Sequence, residues 1–211
     1  SHTLSQLSHI IRSGVAGFDE FNLQEQKLMH YEIPAGHLQK KDLPVVEKYI
    51  HEHPYINLLY PNRVRPYQFQ QHVEKAAQRR LPSLRQSQSG RAVKISDLLT
   101  DRQFQRLALY NEFYRKYDIE YQMLMQVFSD RSVTTGITFN RDKRDFSEQE
   151  RLLLNLLGPH IVQAYGNAKA ISALKNEITA RAGFEGKAKS KLTLRESEIL
   201  HWGAKGKSNA D

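Results

Sequence analysis

The chain contains no cysteine, which removes disulfides, cysteine-ligated zinc and a thiol nucleophile together. It has no run of 18 apolar residues, so no membrane-spanning helix is expected. The first thirty residues lack a cationic start followed by an apolar stretch and a small-residue cleavage site, and the expected location is therefore the cytoplasm. There is neither a glycine-rich phosphate loop nor a G-x-S-x-G elbow. The carboxylates Asp97, Asp101, Glu112, Asp118 and Glu120 stand at capping or exposed positions, with no spacing that suggests acid/base work. These absences point away from an enzyme: no catalytic residue, metal ligand or cofactor is expected. The nine histidines do not alter that. In "HEH", His51 and His53 are one residue apart, point in opposing directions on a helix and read as a surface pair.

What is present is an ordinary folding composition. Of 211 residues, 39% are apolar and 26% charged, with nine Phe and ten Tyr, enough for one large domain or a medium domain with an appendage. The net charge of +8 favours acidic partners without choosing one. Most of the surplus lies between Arg63 and Lys94, where eight basic residues accompany one acidic residue, Glu74. That stretch reads as a solvated basic face and loop, with RNA contact as the sharper alternative.

Local patterns suggest the elements. Leu4, Leu7, Ile10, Ile11 and Val15 have helical spacing up to the glycines Gly14 and Gly17. Phe18 to Ile33 reads as two strands closed by the "PAG" turn, and Leu43 to Ile50 as a helix ended by Pro54. Thr100 and Gln103 stand at capping-box spacing. In the helix expected after them, Phe104, Leu107, Tyr110, Tyr114 and Tyr117 share one face. Tyr121, Met123, Met125 and Val127 alternate, then Val133, Thr135, Ile137 and Phe139, predicting a hairpin turned at 129–132. The aromatic stripe Tyr110, Phe113, Tyr114 and Tyr117, with Tyr121 and Met123, is a candidate lining for a small-molecule pocket, although core packing explains such stripes equally.

Ser147 and Glu150 form a second capping box and open a long helix. Its apolar residues repeat every seven, with Leu157, Ala164, Ile171 and Ile178 in one row and Ile161 and Ala168 in the companion row. This heptad seam predicts pairing with a second copy, a homodimer; the plain alternative is that the stripe covers the domain's own sheet. "AGFEGKAKSK", with two glycines and three lysines, reads as a linker. Beyond it, Thr193 and Glu196 make a third capping box, Ile199, Leu200 and Ala204 give an apolar face, and Gly206 can end the helix. Ser208 or Asn209 can then cap another, and two helices joined so tightly begin a helix-turn-helix.

The string "LTLRESEILHWGAKGKSNAD" resembles the start of the LuxR-type DNA-binding domain. The matching positions are Leu192, Thr193, Arg195, Glu196, Glu198, Ile199, Leu200, Trp202, Ala204, Gly206, Lys207, Ser208 and Asn209. The resemblance implies DNA as a partner, with a base-reading helix to follow Asp211. It gives Lys205, Lys207, Ser208 and Asn209 a positioning role at phosphates. The preceding segments "AVKISDLLTDRQFQRLALYNEFYRKYDIEYQM" and "GITFNRDKRDFSEQERLLLNLLGPHIVQAY" resemble the GAF-like sensor of a set of LuxR-type regulators, implying an α+β fold with an antiparallel sheet flanked by helices. The acyl-homoserine-lactone-binding branch fits less well, since the only tryptophan, Trp202, lies in the DNA-binding segment.

The expected organisation is a GAF-like sensor over 1–168, the end of a connector helix and a linker over 169–190, and a helix-turn-helix cut short over 191–211. The expected function is signal-responsive transcription regulation through the arrangement of a dimer. A protein-interaction scaffold without DNA binding is the alternative.

Overall fold

Two turns built by aspartate and asparagine side chains set the sheet. In the computed structural model, which describes residues 2–60, 65–81 and 89–189, strand β1 (Val15–Asn22) turns back into β2 (Lys27–Ile33). Asn22 Oδ1 accepts from the backbone N–H of Gln24 at 2.9 Å and of Glu25 at 3.0 Å, a side-chain mimic of a backbone turn. At the second hairpin, between β4 (Tyr121–Ser129) and β5 (Val133–Arg141), Asp130 Oδ1 accepts from Ser132 and Val133 N–H, both at 2.8 Å. The short β3 (Ala92–Lys94) completes a five-stranded sheet in the order β2-β1-β5-β4-β3, every pair antiparallel. The α+β class and the sheet flanked by helices are as the sequence suggests.

Both faces of the sheet are covered. One face is apolar: Ala16, Met123, Met125, Ile137 and Phe139 are buried there. Leu4, Leu7 and Ile11 of helix α1 (His2–Ile11) and Leu154 of the final helix cover them. Full burial of each such large side chain contributes about 1.5–3 kcal/mol. The other face lies beneath a layer of short helices: α2 (Leu43–Tyr49), α3 (Pro54–Leu59), α4 (Gln70–Arg80), α5 (Ile95–Leu98), α6 (Asp101–Phe104) and α7 (Ala108–Glu112), then a 3-10 turn over Tyr114–Tyr117.

Two expectations about this layer are corrected. Pro54 opens a helix rather than closing one: α2 ends at Tyr49, and Pro54 is the first residue of α3, where its missing N–H costs nothing. The stretch after Thr100 is three short pieces, not one helix. The capping box is there, with Gln103 N–H donating to Thr100 Oγ1 and Thr100 N–H to Gln103 Oε1. The break that follows is held by the Asn111 amide, which donates to the carbonyls of Gln105 (3.0 Å) and Leu107 (2.8 Å). Phe104, Leu107, Tyr110, Tyr114 and Tyr117 are nevertheless all buried, because the successive pieces fold over one common core.

Helix α8 runs from Glu148 to Lys189. Glu150 accepts from Ser147 N–H at 2.7 Å and its own N–H donates back to Ser147 Oγ at 3.2 Å. The buried Lys94 fastens this end to the sheet, donating to Phe146 O at 3.0 Å and pairing with Asp145 (3.3 Å) and Glu148 (3.1 Å). The backbone stays helical past Gly183 and Gly186, a stretch whose composition suggests a linker. The chain divides into two units, 1–165 and 166–211. No described helix is long and apolar enough to cross a membrane.

Candidate functional site

Strand alternation places Gly17, Asp19 and Phe21 of β1 on the face beneath the short helices, since each stands opposite a residue of β2 and β5 on the same face. The cross-strand partners are Glu32, His30 and Leu28 on one side and Thr138, Gly136 and Thr134 on the other. From β4 come Gln122, Leu124 and Gln126. This face is therefore rich in polar side chains although helices cover it. Among them Glu32, Gln122, Gln126, Thr134 and Asn140 are buried. Groups so placed carry a desolvation cost unless they bond to one another or to a ligand.

They form two chains. In the first, His30 stands between two carboxylates. Its Nδ1–H donates to Asp19 Oδ1 at 2.5 Å and its Nε2–H to Glu32 Oε2 at 3.2 Å. The remaining carboxylate oxygens are served by Thr138 Oγ1–H on Asp19 (2.8 Å) and Leu38 N–H on Glu32 (2.8 Å). Burial disfavours the imidazolium, but the hydrogen bonds and charge of Asp19 and then Glu32 outweigh it, raising the His30 pKa to about 8. Gly17 makes the arrangement possible. A Cβ there would come within 2.6 Å of Thr138 Oγ1 and 3.0 Å of His30 Cε1.

In the second chain, His53 caps α3 by accepting from Ile56 N–H on Nδ1 at 3.5 Å, so the proton sits on Nε2 and donates to Gln122 Oε1 at 2.8 Å. Gln122 Nε2–H passes on to Asn140 Oδ1 at 2.9 Å. Burial holds the His53 pKa below the ordinary imidazole value. The surface reading of His53 is thus overturned: it is buried because the turn before α3 directs it onto the sheet.

Between this floor and the helices lies a cavity of about 110 Å³. Its roof is apolar, with Val46, Ile50, Ile56 and Phe113 among the lining. Tyr55 also lines it, and its buried hydroxyl has no hydrogen-bond partner among the described residues.

Of the six residues expected to line a pocket, Phe113 and Tyr114 do so. Tyr110 and Tyr117 belong to the same core but bond away from the cavity, Tyr110 to Glu120 at 2.5 Å and Tyr117 to Asp42. Tyr121 and Met123 are on the opposite face of the sheet, with the α1 and α8 core. Of the expected dimer seam, Leu157 and Ile161 pack half-buried on that same core, while Ala164, Ala168 and Ile171 are exposed. The side chain of Ile178 and all of Lys205, Lys207, Ser208 and Asn209 lie outside the described residues. Asp19, His30, His53, Gln122 and Asn140 are absent from the sequence-based candidates. Polar residues alternating with apolar ones read as the solvent side of a strand. Among the described residues no group of three or more His, Asp or Glu is arranged to hold a metal ion.

A covered antiparallel sheet with a polar-floored cavity on one face and a long helix on the other defines an α+β domain. No protein family's sequence profile matches the chain, and no curated protein matches it in sequence. Solved structures resemble it in fold. The VqsR LBD domain from Pseudomonas aeruginosa superposes with a TM-score of 0.51 at 12% identity, covering 76% of this chain and 80% of that one. This chain shares that fold. Weaker likenesses are to GAF3 from Slr1393 of Synechocystis (TM-score 0.45, 12% identity, 82% and 94% covered) and to SdiA of Escherichia coli (0.39, 16%, 99% and 71%).

Proposed function

We propose that residues 1–165 are the sensor of a non-enzymatic, cytoplasmic transcription regulator. A small molecule bound in the cavity biases how two copies are held, and the arrangement of the copies decides whether a LuxR-type helix-turn-helix beginning near Leu192 engages DNA. The observation that carries the sensor is the cavity itself. The half-buried Asp19 and His30, the buried His53 and buried amides are assembled under an apolar roof, together with a tyrosine hydroxyl that nothing in the described chain satisfies. A domain with only a structural task gains more from an apolar floor, as on its own opposite face. The fold shared with the VqsR LBD domain and the LuxR-type string from Leu192 to Asn209 support the rest.

The mechanism is a population shift. A ligand that fits one arrangement of the dimer better than another favours it by the difference in affinity. Specific DNA binding then requires two base-reading helices at half-sites about 34–36 Å apart. Selection of genomic fragments by the full-length protein tests this. Enrichment of sequences with paired half-sites at that spacing is expected. Retention that falls to nothing with salt, without any enriched sequence, overturns the DNA-binding reading.

A further inference from the structure

On the reading that this cavity is the sensor's binding site, its residues also define the chemistry of the occupant. We infer that it takes a compact protonated amine that carries a hydrogen-bond acceptor on an apolar body. The ammonium sits against Asp19, and the acceptor receives the Tyr55 hydroxyl.

The charge count comes first. Two carboxylates, Asp19 and Glu32, flank one imidazole, and His30 is the partner of each in an ion pair. Even a fully charged ring balances one of them. No lysine or arginine among the described residues pairs with either. An uncompensated charge at a covered site is costly, and a cation arriving there relieves it. Geometry says which carboxylate is open. Glu32 is 7% exposed and does not line the cavity, whereas Asp19 is 23% exposed and does. Asp19 accepts two hydrogen bonds, from His30 and Thr138, and a carboxylate has room for about four. Phe21, Phe113 and Tyr114 add aromatic rings to the same walls, surfaces that attract cations as well as alkyl groups.

The second observation is independent of the carboxylates. Tyr55 is 3% exposed and lines the cavity, and its hydroxyl lacks a partner among the described residues. Burial keeps that phenol protonated, so it is a donor awaiting an acceptor. An anionic ligand would bring its charge to Asp19. A pure hydrocarbon would leave both Asp19 and Tyr55 unmet. Size sets the last limit: an apolar cavity of about 150 Å³ holds benzene, so a volume of about 110 Å³ suits a body of five or six heavy atoms.

Three probes that share a ring and a hydroxyl separate the possibilities: 2-aminocyclopentanol, cyclopentane-1,2-diol and 2-hydroxycyclopentanecarboxylate. Each is titrated at pH 7 into the full chain, with binding followed by NMR shifts of the cavity residues. The amino alcohol is expected to bind at least tenfold more tightly than the diol, and the acid not at all. Asp19→Asn should erase the preference for the amine over the diol, and Tyr55→Phe should weaken the amino alcohol several-fold. Equal binding of diol and amino alcohol by the unaltered chain overturns the charge assignment and leaves the cavity as a binding site. Binding of the acid as tight as that of the amine overturns it too. If none of the three shifts the cavity residues, the binding-site reading fails along with this inference.

Discussion

Asp19 and His30 stand directly opposite each other on neighbouring strands, and their side chains meet at 2.5 Å beneath a roof of helices. The pair makes stability depend on pH in a defined direction. The folded pKa of His30, about 8, lies above the ordinary 6.5. Its contribution is therefore fully present below pH 6.5 and is lost as pH rises through 8, and it amounts to about 1–2 kcal/mol after allowance for partial exposure. Urea unfolding at pH 6 and pH 9 should show the wild type losing about that much relative to His30→Gln. Parallel curves for the two proteins would refute the coupling.

Tyr55→Phe should stabilise the unliganded protein by about 1 kcal/mol, although it removes a polar group from the core. The hydroxyl is buried without a partner, so deleting it removes a desolvation cost and breaks no bond. Thermal unfolding of the apo protein checks this; a fall in the midpoint would mean that the hydroxyl has a partner after all.

Gly158→Ala should destabilise the domain even though alanine is the better helix former by about 1 kcal/mol. A Cβ at residue 158 would stand 2.0 Å from the carbonyl oxygen of Gly90, a backbone atom held in place by Gly90 N–H donating to Gln126 O at 2.7 Å. The expected net loss is about 1–3 kcal/mol by denaturant titration. An alanine variant as stable as the parent would show that the loop gives way freely.

The two ends of the heptad seam should respond differently to charge. Ile171 of the seam is 53% exposed and Leu174, which neighbours it three residues on, 58%, so replacing both with glutamate should leave the fold intact and yield a monomer by sedimentation if the seam joins two copies. Leu157→Glu instead enters the core on which Leu157 packs and should lower the unfolding midpoint. A dimer unaffected by the double change would move the interface off this helix.

Much of the backbone was legible because it depends on neighbours in sequence. Asp130 could announce its turn, and Thr100 with Gln103 and Ser147 with Glu150 their caps, since each partner lies within three residues along the chain. The six-residue pocket stripe was legible only in part. Phe113 and Tyr114 reach the cavity, whereas Tyr121 and Met123 belong to a strand face turned the other way. A two-residue repeat shows which side chains point together, but not toward what.

Local spacing thus determined the hairpins and several helix starts, and the resemblance to LuxR-type regulators implied the fold class. Tertiary packing alone decided that the polar alternation at Asp19, His30 and Gln122 faces a covered cavity instead of water. The helices that cover those residues come from distant parts of the chain: His53 meets Gln122 across 69 positions. Whether a polar side chain is solvated or buried is set by such distant segments, and it is burial that makes the unmet charge and hydrogen bonds of an ordinary polar strand face costly.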